Sequence, residues 1–146
     1  MGRNRYIVIA GCGRLGTSIA ARLSASGDSV VVIDRNESAF AGLPPEFSGF
    51  RIEGDASRLS VLRDAKVDEA DVLIAVTGSD NVNLMAAQAA KRTFGVTRAL
   101  ARVYDPTKER LYSRLGIVTV CPTSAAAETF FRVMTEEPSG LGEAVL

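Results

Sequence analysis

Tyr6-Ile7-Val8-Ile9-Ala10-Gly11-Cys12-Gly13-Arg14-Leu15-Gly16 is the stretch that decides the fold. Apolar residues of strand length run straight into GxGxxG, and over 15–26 the apolar positions recur at helical spacing until Gly27, a helix stop. Between a strand and a helix, each glycine of this loop has a physical reason. Gly11 permits the tight turn, Gly13 lets backbone N–H groups approach a pyrophosphate, and Gly16 lets the helix pack close to the strand. The helix N-terminus then attracts phosphates.

Further apolar runs at 29–33, 50–53, 72–76, 99–103 and 118–121 read as strands, with longer amphipathic stretches between them. That alternation predicts an α/β fold: a Rossmann-like, doubly wound, six-stranded parallel sheet in a single domain. A second clear helix is expected over 80–92, with Asp80 as its capping residue, and shorter ones after Asn36, Ser57 and Pro106. Pro44-Pro45 makes the second crossover loop-like near its end. A last helix over 123–136 carries Ala126, Phe130, Val133 and Met134 near one face, broadened by Phe131, and is expected to pack on another surface. The nucleotide fold is assigned to 1–136, and the Gly-rich 137–146 reads as a short flexible tail.

At 146 residues, 47% hydrophobic and 23% charged, the composition is that of one folded domain. Lys plus Arg equals Asp plus Glu at 17 each, so no bulk positive field favours nucleic acid or an anionic membrane. No apolar run approaches the roughly 18 residues of a membrane span, and the one before Gly11 is too short for a signal peptide. A cytoplasmic location is expected. Cys12 and Cys121 form no CxxC pair, which points away from zinc and disulfides. There is no histidine, so the commonest general base and metal ligand are missing, and neither catalysis nor a metal is expected.

Asp34 ends the second strand 18 residues after Gly16, where a carboxylate can accept from both ribose hydroxyls of an adenosine and disfavours a 2′-phosphate. Against this stands a reading in which the glycines only turn the chain and Asp34 only caps a helix. Ligands of open α/β sheets bind outside the carboxyl ends of the strands, so the other strand ends matter too. Gly54-Asp55-Ala56 ends the third strand, with Asp55 able either to meet an adenine amino group or to cap the next helix. Thr77 and Gly78 follow the fourth strand, and Thr77 and Asn81 are expected to face the glycine loop. Arg102 ends the fifth strand and can pair with a phosphate or make a surface salt bridge. Cys12 lies at a helix N-terminus, which can lower a thiol pKa, or is simply a variable loop position.

Taken in order, GCGRLG, VVVIDRN, GDAS, ADVLIAVTGSDNVNL and ARVYDP resemble the KTN domain, the N-terminal half of the RCK regulators of potassium channels and Trk/Ktr uptake systems. The resemblance covers nearly the whole chain. It implies a cytosolic domain, dimeric or in a larger ring, that binds NAD(H) or ATP, ADP or AMP and transmits its ligand state to a membrane-embedded potassium transporter or channel. By motif position, Gly11, Gly13, Arg14, Leu15 and Gly16 hold phosphates, Asp34 and Arg35 the ribose region, Asp55 and Ala56 the adenine, while Thr77, Gly78, Asn81 and Arg102 close the phosphate side. Full-length regulators continue into a C-terminal ligand-binding half, so a separate subunit of that type is an expected partner. Some relatives hold a divalent cation with a glutamate where this chain has Ser113.

Two other readings use the same loop. A nicotinamide-dependent oxidoreductase needs a substrate-presenting structure and a proton-moving group, and the nucleotide fold takes up nearly the whole length. Tyr104 and Lys108 match a YxxxK spacing, but Pro106 between them marks a turn and not one helix face. A nucleotide-binding scaffold unrelated to potassium differs only in its partner.

Overall fold

The computed structural model describes residues 4–136. Its six strands are β1 (Tyr6–Ala10), β2 (Ser29–Asp34), β3 (Phe50–Glu53), β4 (Val72–Ala75), β5 (Arg98–Arg102) and β6 (Val118–Val120). The helices are α1 (Arg14–Ala25), α2 (Leu59–Asp64), α3 (Asp80–Arg92), α4 (Glu109–Ser113) and α5 (Pro122–Thr135). All strands are parallel, in the order β3-β2-β1-β4-β5-β6, so the expected doubly wound sheet is what forms. Ala10 at the end of β1 pairs with Ile33 and Ala75, which brings the ends of the three central strands level.

The central strands are apolar throughout because both of their faces are covered. On one face Val8, Ala10, Val31, Ile33 and Leu73 pack with Leu62 of α2 and Leu84, Ala86, Ala87 and Ala90 of α3. On the other, Ile7, Ile9, Val30 and Val32 meet Ala20 of α1 and Phe40, Leu43 and Phe47 of the crossover after β2. Each Val, Leu, Ile or Phe among these contributes roughly 1.5–3 kcal/mol by leaving water. α1 and α3 therefore lie on opposite faces, and the strand order reverses between β1 and β4.

The crossover after β2 is a 3₁₀ helix, Glu37–Gly42, and not an α-helix. Gly42 and Pro44-Pro45 cut short any α-helical propagation there, and Phe40 enters the core from the tighter turn. Ser79, and not Asp80, caps α3: its side chain accepts from the Val82 N–H at 3.3 Å. Asp80 instead reaches across to the segment after β5, accepting from the N–H groups of Tyr104 at 2.9 Å and Asp105 at 3.2 Å.

The surface expected to cover α5 is not supplied by the described residues of this chain. None of the residues of α5 is buried, and Phe130 and Met134 are 76% and 75% exposed, so its apolar face packs on nothing within the described chain. The tail assigned to 137–146 lies outside the described residues. Among those described, no helix is long and apolar enough to cross a membrane.

Candidate nucleotide site

Where the strand order reverses, α1 and α3 diverge to opposite faces and leave a crevice over the carboxyl ends of the strands. It has a volume of about 450 Å³. Its first wall is the glycine loop. Gly11 has φ +110°, and a Cβ there would stand 2.7 Å from the Val76 carbonyl oxygen, so only glycine fits. A Cβ on Gly16 would run into the Gly11 carbonyl, which is the close helix–strand approach expected of that glycine. Gly13 is the opposite case: nothing lies within 4 Å of its Cβ position, because it faces the crevice.

α1 has no side-chain cap and no acidic residue in its first turn. Thr17 is the first residue to close a helical bond, its N–H donating to the Gly13 carbonyl at 2.9 Å. The N–H groups of Arg14, Leu15 and Gly16 precede it and have no helical acceptor. Arg14 and Leu15 are exposed and do not line the crevice with their side chains, and Gly16 is buried beneath it. What these three offer is backbone.

Cys12 corrects one expectation. Its thiol is buried, 3.6 Å from the Thr17 hydroxyl, and desolvation pushes its pKa up despite the helix N-terminus. Its backbone matters more: the Cys12 N–H donates to Asp34 Oδ2 at 2.8 Å.

At the end of β2, Asp34 Oδ1 also accepts from the Asn36 N–H at 2.9 Å. One carboxylate thus braces both the glycine loop and the turn after β2, and each oxygen keeps a further acceptor position. Asp34, Arg35 and Asn36 all line the crevice. At the end of β3, Gly54 and Ala56 line it and Asp55 does not. Asp55 Oδ1 accepts from the hydroxyl and N–H of Ser57 at 2.7 and 2.9 Å, which holds its carboxyl below the ordinary 3.8. Asp55 therefore braces the turn that leads into α2 and does not cap the helix itself, whose N-cap residue Arg58 has no side-chain cap bond.

The last wall is Thr77, Gly78, Ser79 and Arg102. The Arg102 guanidinium lies over the Tyr104 ring at 4.8 Å, and its Nη2 donates to the carbonyls of Val76 at 2.8 Å and Thr77 at 2.9 Å. It makes no ion pair among the described residues, and its buried Nε–H has no partner. Asn81, expected beside Thr77, is exposed and outside the lining. Sequence reasoning missed Asn83 two residues on, which is fully buried and bonded to Thr77 and Arg102, and the lining residues Ile33, Asn36, Val76, Ser79 and Val82. Tyr104 and Lys108 do not share an α-helical face, since Pro106–Lys108 is a 3₁₀ turn capped by Asp105.

The crevice thus presents N–H donors and a guanidinium on one side and a carboxylate on the other. The family model for the TrkA-N domain matches residues 7–122. The Trk system potassium uptake protein TrkA of Streptomyces coelicolor is 41% identical over 135 residues, covering 92% of this chain and 60% of that protein. A TrkA homolog of Pyrococcus abyssi is 33% identical, covering 88% of this chain and 60% of that protein. This chain therefore spans about 60% of the length of these relatives. Among solved structures, the GsuK channel bound to NAD is 25% identical with a TM-score of 0.75, over 98% of this chain and 24% of the channel. GsuK bound to ADP is 26% identical with a TM-score of 0.74, over 90% of this chain and 34% of that one. The TrkA-N domain of the Escherichia coli inner membrane protein ybaL matches with a TM-score of 0.80 at 19% identity over 93% of this chain and all of that one, a likeness of fold. With the family model matched across the sheet from β1 to the start of α5, this chain belongs to the TrkA-N domain family.

Proposed function

We propose that this chain is a regulatory nucleotide-binding domain of a potassium uptake system, and not an enzyme: it binds an adenine nucleotide, NAD(H) or ATP, ADP or AMP, and passes its ligand state to a membrane-embedded potassium transporter or channel. The observation that carries the reading is that Arg102, whose buried Nε–H has no partner, lines the same crevice as the glycine loop that leads into the uncapped α1. A buried donor without an acceptor is costly, and an anion supplies the acceptor. Phosphates fit there, against the backbone N–H groups of Arg14, Leu15 and Gly16 and beside Thr77 and Gly78. The ribose fits at Asp34 and Arg35, and the adenine beside Gly54 and Ala56. NAD and ADP are the ligands of the GsuK structures that this chain resembles.

A regulatory role is favoured over hydride transfer because the YxxxK pair is not assembled at the crevice: Tyr104 is stacked on Arg102, Lys108 ends a 3₁₀ turn, and neither is among the lining residues. Nucleotide can shift a conformation only by binding one state more tightly. The differential contact assigned here is Arg102, whose Nη2 holds the Val76 and Thr77 carbonyls in the form described. The bare apolar face of α5 supports self-association into a dimer or larger ring. A cytoplasmic position, peripheral to the membrane through its partner, follows from the same role, as does pairing with a separate C-terminal-type RCK subunit.

Thermal unfolding with AMP, ADP, ATP, NAD, NADH and NADPH at one high concentration tests the reading. Ligand at 100 times its Kd adds about 2.7 kcal/mol, a rise of roughly 5–10 °C at this size. Rises with adenosine ligands and none with NADPH are expected. No rise with any ligand overturns the nucleotide reading, and substrate-dependent oxidation of NADH overturns the regulatory one.

A further inference from the structure

Asn83 sits in the second turn of α3 among residues that face the sheet, Leu84, Ala86, Ala87 and Ala90, yet it is polar and fully buried. Asparagine is a poor helix former, and burying its amide costs free energy unless every polar atom is bonded. Here every one is. Oδ1 accepts from the Thr77 N–H at 2.8 Å and the Thr77 hydroxyl at 2.6 Å. Nδ2 donates to the Thr77 carbonyl at 3.1 Å and the Arg102 carbonyl at 3.0 Å. With an N–H on one side and two carbonyls on the other, only this orientation of the amide is satisfied.

The β4–β5 ladder ends at Ala75 and Ala101, so Val76, Thr77 and Arg102 lie beyond its last pair. In its place the Asn83 amide grips the Thr77 peptide on both sides and ties it to the Arg102 backbone. The Arg102 Nη2 returns to the same Thr77 carbonyl that Nδ2 bonds. Val76, just upstream, is the residue against which Gly11 packs with no room for a Cβ. Asn83 itself does not line the crevice. We infer that Asn83 is a positioning residue: its amide sets the Thr77 loop and the Arg102 guanidinium in register with the glycine loop, so that ligand phosphates meet donors already in place. The inference rests on the nucleotide reading above for its ligand, and on the hydrogen bonds alone for its geometry.

The test uses the full chain with Asn83→Asp, which keeps both acceptors for Thr77 and loses both donors, and Asn83→Ser, which loses the whole amide. Binding of ADP and of adenosine is measured at a temperature where circular dichroism shows the variants folded. ADP affinity is expected to fall about tenfold or more, the effect of a misplaced charge-assisted bond, while adenosine changes by less than about twofold. Equal losses for both ligands, or a lowered unfolding temperature with ADP affinity unchanged, overturns the inference. If the unsubstituted protein binds neither ligand, the nucleotide reading fails separately, and amide exchange decides on Asn83. Faster exchange at Thr77, Gly78 and the Arg102 Nε–H in Asn83→Ser, with β1 and β2 unchanged, supports positioning, and unaltered exchange there refutes it. Should both variants unfold, the unsubstituted protein decides: the Asn83 Nδ2 protons are expected to exchange with solvent as slowly as core amides, and fast exchange overturns the inference.

Discussion

Asp34 Oδ2 and the Cys12 N–H are joined by a 2.8 Å hydrogen bond that fastens the end of β2 to the glycine loop. The other oxygen holds the Asn36 N–H at 2.9 Å, so the side chain proposed to receive a ribose also shapes the wall proposed to receive phosphates. Site and scaffold share one residue.

Asp34→Ala is therefore expected to lose more than ligand contacts. Water replaces the carboxylate at the exposed Asn36 N–H, so the loss is chiefly that of the bond to the buried Cys12 N–H, and leaving such a donor unsatisfied costs about 1–3 kcal/mol. A fall in stability of roughly 1–3 kcal/mol without ligand is expected, together with weaker binding of every adenosine ligand. Asp34→Glu, which keeps the charge but overshoots the loop, should recover less than half of the stability loss. Urea unfolding with and without ADP checks both, and unchanged unliganded stability in Asp34→Ala would show that the loop stands without its brace.

The contrast between Asp34 and Asn83 shows what the sequence made legible. The strand order, the glycine loop and Asp34 follow from patterns that act locally: apolar runs of strand length, a glycine spacing, and an acid at a strand end. Asn83 acts through β5, far along the chain, and its one local signal is a poor helix former among Leu84, Ala86 and Ala87. Asn81, chosen in its place, has the same chemistry but points to solvent, because α3 turns roughly 100° per residue. Asp80 and Asp55 were readable as polar residues at helix starts; that Asp80 reaches for Tyr104 while Asp55 stays local is decided by tertiary approach. The bare face of α5 has the same amphipathic spacing as a core helix, and spacing does not say what covers it.

Two glycines of the loop should separate folding from binding. At Gly16 an added Cβ meets the Gly11 backbone, which has no rotamer with which to yield, so Gly16→Ala is expected to cost at least about 1–3 kcal/mol of stability. At Gly13 the Cβ meets open space and φ is −80°, so Gly13→Ala should leave stability unchanged or raise it by up to roughly 1 kcal/mol. The same methyl group projects into the crevice and should weaken ADP binding. Denaturant midpoints and ADP titrations for the pair check this, and a destabilised Gly13→Ala would contradict the open geometry.

At the opposite end of the sheet, the buried Asp28 carboxylate accepts from the Arg5 guanidinium at 3.0 Å and the Arg5 N–H at 2.9 Å. The Arg5 side-chain bond is the main cause that holds Asp28 below its ordinary 3.8. A carboxyl with a lower pKa folded than unfolded stabilises the fold above the ordinary carboxylate range and stops doing so as pH falls through the folded pKa. Asp28→Asn should thus unfold at lower urea than the unsubstituted protein near pH 7, and the gap should close as pH falls below the ordinary carboxylate range and through the lowered folded pKa. Asp55 and Asp105, held low by Ser57 and Thr107, are present in both proteins and cancel in the difference. A gap independent of pH would assign the Asp28 effect to shape and not to charge.

The proposed self-association makes a sharper demand on α5. Because none of its side chains is buried within the described chain, replacing Phe130 and Phe131 removes no core side chain. Phe130→Ser with Phe131→Ser should leave the monomer as stable as before and improve its solubility, since exposed aromatic surface is removed. If α5 forms the contact between subunits, the unsubstituted protein should unfold at a temperature that rises with its concentration, and the double variant should lose that dependence. Sedimentation equilibrium reads the same change as a shift from dimer to monomer. A variant that remains dimeric would place the interface elsewhere, on the face of α3 that exposes Met85 or beside Leu111 of α4, and a variant that no longer folds would mean that α5 packs within the chain after all.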